Sequence, residues 1–158
     1  MRTIEVTIYK FHELSEPAKE RAREWFRDGY EPAWEQESRE SIERFCSEFG
    51  ASLTEWRIGA FEPVDYTVKF DNSNFRGRKL RHFLRDLMPT GFWLDCSLWV
   101  TFYDVFKRTG DAKAAFDAAL WQGFTDWRKD IEHQYSEEYI DEFIEANEYE
   151  FTENGKYA

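Results

Sequence analysis

Thirty of the 158 side chains are phenylalanine, tyrosine or tryptophan, against only twenty leucines, isoleucines and valines. That ratio constrains the fold more than any motif does, because each ring hides roughly 150–250 Å² when it packs. The sequence therefore predicts a core assembled mainly from rings, with large rings near the surface leaving apolar edges. Hydrophobic content of 42% is incompatible with disorder even though 34% of residues are charged. A chain of 158 residues removes roughly 70% of its unfolded surface from water and needs no disulfide or metal staple. Residues 1–158 are accordingly read as one globular domain.

The apolar spacing alternates between strand and helix periods. Residues 3 to 11 set Ile4, Val6 and Ile8 against Thr3, Glu5, Thr7 and Tyr9, the period of a half-buried strand. Ser15 and Pro17 then open a helix that Gly29 should close in a left-handed conformation. Its apolar stripe is Ala18, Ala22, Trp25 and Phe26, with Lys19, Arg23 and Glu24 left in water. A second helix is expected from Pro32 to Phe49, with Gly50 as its stop. Runs 53 to 61 and 64 to 70 alternate well enough for an antiparallel pair, ended by the polar turn Asp71-Asn72-Ser73-Asn74.

Further on, a short basic helix is expected over 78 to 87, and 92 to 106 reads as helix or strand, length favouring helix. Asp111 caps a long amphipathic helix reaching Ile131, and Ser136 caps another. Residues 149 to 152 close the chain as a short strand with an Asn154-Gly155 turn. The expected fold class is thus α+β: a small antiparallel sheet of three to four strands packed against four to six helices.

Charge is distributed unevenly along this chain. Ten carboxylates and no lysine or arginine lie between Asp130 and Glu153, so this stretch carries most of the net charge of −11. On a helical wheel Glu137, Glu138, Asp141, Glu142 and Glu145 fall on one side and Tyr139, Ile140, Phe143 and Ile144 on the other. Carboxylates four residues apart stand about 6 Å apart along the axis and repel one another. Such a face is either a solvated surface, a set of internal ion pairs, or an acidic docking surface for a basic groove on another protein.

The counterpart is the segment Arg76, Arg78, Lys79, Arg81 and Arg85, five cations with no acid among them. Pairing with the protein's own carboxylates, contact with phosphate and docking to another protein all remain open for it. Phe75, beside Arg76, offers one stacking edge for a base.

Enzyme readings find little to stand on. His12, His82 and His133 are far apart, Cys46 and Cys96 have no neighbouring histidine, and no nucleophile elbow, phosphate-binding loop or zinc spacing occurs. Asp130-x-x-His133 has the spacing of a bundle metal site but lacks the second copy such a centre needs. Arg76 stands where a calcium loop beginning at Asp71 requires glycine. No catalytic residue, metal or cofactor is therefore expected. The two cysteines are read as buried free thiols of a reducing compartment. With no apolar run near the roughly 18 residues of a membrane span and no apolar signal run at the N-terminus, a cytoplasmic protein without membrane contact is expected.

Several strings resemble those of a group of small proteins encoded by tailed phages and bacterial prophages, some labelled antitoxins of toxin–antitoxin systems. The resemblance rests on Thr7-Ile8-Tyr9-Lys10-Phe11 with Glu13-Leu14-Ser15 and Ala18-Lys19-Glu20-Arg21-Ala22-Arg23, on Phe70-Asp71-Asn72-Ser73-Asn74-Phe75-Arg76-Gly77, and on Tyr139-Ile140 to Glu153-Asn154-Gly155-Lys156. It implies phage origin and the cytoplasm of an infected or lysogenic bacterial host, and brings no catalytic residues. The expected function is stoichiometric inhibition of a bacterial protein, of anti-defence, anti-CRISPR or antitoxin type. The partner would be a host protein with a basic or nucleic-acid-binding surface. The alternative is a nucleic-acid-binding accessory protein using Arg76 to Arg85.

Overall fold

The computed structural model describes residues 5–70, Phe75 and residues 79–158, with only the backbone of Leu80. Its elements are β1 (Ile8–Lys10), α1 (Glu16–Gly29), α2 (Glu35–Glu48), β2 (Ser52–Arg57), β3 (Asp65–Lys69), α3 (Leu80–Arg85), α4 (Leu94–Thr109), α5 (Ala112–Gln134), α6 (Glu137–Ala146) and β4 (Glu150–Thr152). The fold is α+β, as expected. Among the described residues its strands form two separate two-stranded antiparallel sheets, β1 with β4 and β2 with β3, in place of one sheet of three to four strands. The chain gathers into two compact units, one from Met1–Pro32 with His133–Ala158 and the other from Ala33–Glu132.

The first unit closes the chain ends on each other. Tyr9 faces Phe151 and Lys10 faces Glu150 in the β1–β4 register, and Lys10 Nζ lies 3.0 Å from Glu150. The paired strand is shorter than the run 3 to 11, whose residues 3 and 4 lie outside the described residues. Beneath the ribbon, Ala18, Ala22 and Phe26 of α1 pack with Ile140 and Ile144 of α6 around Phe11, Leu14 and Phe151. Small residues on α1 let α6 approach while the rings fill the remaining volume.

Three expectations about α1 need correction. Ser15 occupies the cap position without a side-chain capping bond. Gly29 is the last helical residue, followed by extended Tyr30, so the helix ends with no left-handed glycine. Arg23 does not stay in water: it is buried at 8% exposure, whereas Trp25 keeps 38% and stacks on Tyr157 at 4.4 Å.

The second unit is built on rings. Phe49 has no exposed surface and meets Phe45, Phe83, Phe102 and Phe116 at centroid distances between 4.8 and 5.2 Å. Tilted and edge-on ring pairs of this kind add about 0.5–1.5 kcal/mol each beyond their area. Gly50, at φ +66, turns the chain from α2 into β2, as its position in the sequence predicts. On the β2–β3 hairpin, Tyr66 stacks on Phe124 of α5 at 4.6 Å.

The ambiguous run 92 to 106 is helix: α4 buries Leu94, Leu98 and Phe102. Asp111 Oδ1 accepts the Ala114 amide at 3.1 Å and so caps α5 as expected. The turn Asp71 to Asn74 lies outside the described residues. Cys46 is buried but Cys96 is exposed, and both are free thiols; only half of the expectation about them holds.

Candidate functional site: the anionic helix

Local chemistry explains why α6 starts where it does. Ser136 Oγ accepts the Tyr139 amide at 3.3 Å, and Glu137 and Glu138 occupy the first turn, where the positive end of the helix dipole favours them. Ile140 and Ile144 are buried against α1. The orientation of the remaining side chains follows from 100° per residue.

The five sequence-predicted carboxylates divide into two stripes. Asp141 receives two hydrogen bonds from Arg23, Nε to Oδ1 and Nη2 to Oδ2, both at 2.7 Å. Glu137 stands 4.0 Å from the same guanidinium. Arg23 also reaches Glu20 at 3.2 Å, Arg27 reaches it at 2.9 Å, and the Arg23 guanidinium sits over the Phe11 ring at 5.7 Å. Its pKa is raised, first by the hydrogen bonds to Asp141, so the group is charged at every accessible pH. This cluster neutralises one side of the acidic face from within.

Glu138, Glu142 and Glu145 are different. All three are exposed, and no ion pair involves any of them among the described residues. Positions i, i+4 and i+7 lie within about 60° on the wheel and span about 10 Å of axis. The last turn of α6 holds no basic residue, so Glu142 and Glu145 face both one another and the negative end of the helix dipole. Exposed Glu148 and Glu153 extend the same charge beyond the helix. The unit of residues 1–32 and 133–158 holds fifteen acidic residues against seven lysines and arginines, the unit of residues 33–132 seventeen against fourteen. The surplus is therefore concentrated where α6 is.

The basic segment is built differently from its expectation. Arg76 and Arg78 lie outside the described residues. Lys79, Arg81 and Arg85 are exposed, with Arg81 and Arg85 one turn apart on α3. Arg85 Nε lies 3.0 Å from Asp86. At six residues α3 is shorter than the run 78 to 87 expected for it and too short to develop an anion site at its start. Phe75 is not a stacking edge: at 7% exposure it is core, edge-on to Phe83 at 4.8 Å and to Phe106 at 4.9 Å.

The chain matches no family model, no curated protein and no solved structure. Among the described residues no three histidine, cysteine, aspartate or glutamate side chains converge as metal ligands would, and no helix is long and apolar enough to cross a membrane. The residue that sequence reasoning missed is Arg23. A helical arginine adjoining the Ala18–Ala22–Phe26 stripe was the available signal, since burial there demands a carboxylate partner.

Proposed function

We propose that this is an acidic binding protein of phage or prophage origin, acting stoichiometrically as an inhibitor of a bacterial host protein in the host cytoplasm. Anti-defence, anti-CRISPR and antitoxin roles all fall within this reading, and the chain is not an enzyme in it. Glu138, Glu142 and Glu145 form the docking stripe and meet a basic or nucleic-acid-binding surface on the partner. Glu137 and Asp141 hold α6 in place and contribute little to the encounter.

One observation carries the reading: three mutually repelling glutamates stand exposed and, among the described residues, without ion-pair partners on a helix whose other acids are paired internally. Self-repulsion of this kind weakens a helix by a few tenths of a kcal/mol per pair. A cationic partner would turn it into attraction and speed the encounter. Reversing Glu138, Glu142 and Glu145 together to lysine tests the reading, with Asp141 left intact so that the fold survives. The variant should lose the partner, and the wild-type complex should weaken steeply with salt.

A further inference from the structure

Four of the seven tryptophans, Trp25, Trp56, Trp99 and Trp127, lie against other rings. Trp34 and Trp93 behave otherwise. They are 60% and 40% exposed, and among the described residues neither ring meets another ring or a cation. Both line one pocket of about 380 Å³ with Gly91, Phe92, Glu37 and Asp130. Every lining residue belongs to the unit Ala33–Glu132.

A buried polar relay holds the pocket's loop in shape. Asp95, in the first turn of α4, is 9% exposed. Its Oδ2 accepts the Gly91 amide at 2.7 Å and the Thr90 hydroxyl at 2.9 Å. Thr90 Oγ1 in turn accepts the Phe92 amide at 3.2 Å and stands 2.9 Å from Ser41 Oγ of α2. Since the Thr90 proton is committed to Asp95, Ser41 is the donor to Thr90. The relay fixes Gly91 and Phe92 against α2, and Trp34 enters α2 at φ +65, a conformation that a bulky side chain rarely adopts. The Thr90–Phe92 backbone is therefore positioned before any ligand arrives.

The chemistry of the wall selects the occupant. Three aromatic residues line the pocket, and an aromatic face attracts a cation through its quadrupole. Two carboxylates repel anions, and Glu37 has no hydrogen-bond or ion-pair partner among the described residues. Primary ammonium and guanidinium groups bring several N–H donors that must all be satisfied once water leaves. A wall whose charged side chains are two carboxylates set among rings suits a cation that has no donors and sheds its water cheaply.

We propose that this pocket binds a small quaternary ammonium cation of the choline type, its methyl groups against Trp34, Trp93 and Phe92 and its charge facing Glu37 and Asp130. The site does not rest on the inhibitor reading and is tested without any protein partner. The experiment titrates the full-length protein with choline and follows the indole N–H resonances in proton–nitrogen correlation spectra, with Trp34→Ala and Trp93→Ala identifying the two signals. Choline should move both signals to saturation. Its neutral isostere 3,3-dimethylbutan-1-ol should not, nor should glycine betaine, whose own carboxylate would meet Glu37 and Asp130. Glu37→Gln, which keeps the shape, should weaken choline about threefold to fivefold. No saturable shift with choline, equal shifts from its neutral isostere, or unchanged affinity in a folded Glu37→Gln variant would each overturn the proposal.

Discussion

Arg23 and Asp141, 118 positions apart, form a two-pronged ion pair in which each carboxylate oxygen accepts one guanidinium N–H at 2.7 Å. The pair ties the first long helix to the last one inside a single unit. Its placement decides which acids of α6 are structural and which are free to meet something else.

Removing Asp141 leaves the buried Arg23 guanidinium with only its longer contacts to Glu20 and Glu137. The Arg23 side chain is only 10% exposed and Asp141 31%, so Asp141→Ala should destabilise the protein by about 2–4 kcal/mol in urea unfolding. Glu142→Gln and Glu145→Gln should each leave stability unchanged or raise it by up to about 0.5 kcal/mol, because only repulsion is lost, whereas Glu138→Gln should be close to neutral because it also gives up a favourable first-turn charge.

Gly155 turns the chain after β4 at φ +82, and a Cβ there would be driven into the Ala18 carbonyl. Backbone cannot yield as a side-chain tip can. Gly155→Ala should cost at least about 2 kcal/mol by the same assay, from strain at a special φ together with displacement of α1. In the other unit, a Cβ on Gly123 would stand 2.5 Å from Leu98 Cδ2. Leu98 is fully buried, so Gly123→Ala should destabilise by about 1–3 kcal/mol through overpacking.

The two thiols should differ in reactivity. Burial pushes the Cys46 thiol up to about 12, so it is protonated and shielded at neutral pH, whereas Cys96 is exposed. Ellman's reagent at pH 8 should titrate one thiol in the native protein and two in denaturant.

Acid should loosen the Arg23 cluster in a defined direction. Hydrogen bonds from Arg27 and then Arg23 hold Glu20 below its ordinary value of 4.5. A carboxylate depressed in the folded state stabilises at pH above its unfolded value and loses that contribution as pH falls through the folded one. The urea midpoint should therefore drop below about pH 4.5, and Glu20→Gln should flatten the dependence in that window.

The basic segment makes a separate prediction. Arg85 is engaged with Asp86 and Phe75 is core, which among the described residues of the segment leaves Lys79 and Arg81 to meet a phosphate backbone. A mobility-shift titration with single-stranded and duplex DNA at low ionic strength should show no shift. A salt-steep shift lost on Arg81→Ala would favour nucleic-acid binding instead.

Much of the fold was legible because its signals are local. The caps at Asp111 and Ser136, the Gly50 turn and the helical period from Leu94 onward each depend on residues within a turn or two of one another. The antiparallel β2–β3 pair was legible in the alternation of its two runs, but the pairing of the chain ends was not, since Ile8–Lys10 finds its partner at Glu150–Thr152 and three-residue strands carry no register signal. Arg23 was misread for a related reason. A helical wheel treats arginine as a wet residue and cannot see a carboxylate 118 positions away. The wheel did place Glu137, Glu138, Asp141, Glu142 and Glu145 on one side, but their division into paired and unpaired stripes depends on where α1 packs. The Trp34 and Trp93 pocket was invisible because its walls come from three separate stretches of chain.

The docking stripe is tested most directly by a paired capture from bacterial lysate. The wild type and the Glu138→Lys, Glu142→Lys, Glu145→Lys variant serve as parallel baits, each checked for native circular dichroism. The account predicts a host protein retained in stoichiometric amount by the wild type, released by moderate salt and absent from the variant. Equal retention by both baits, or salt-insensitive retention by the wild type, would contradict it.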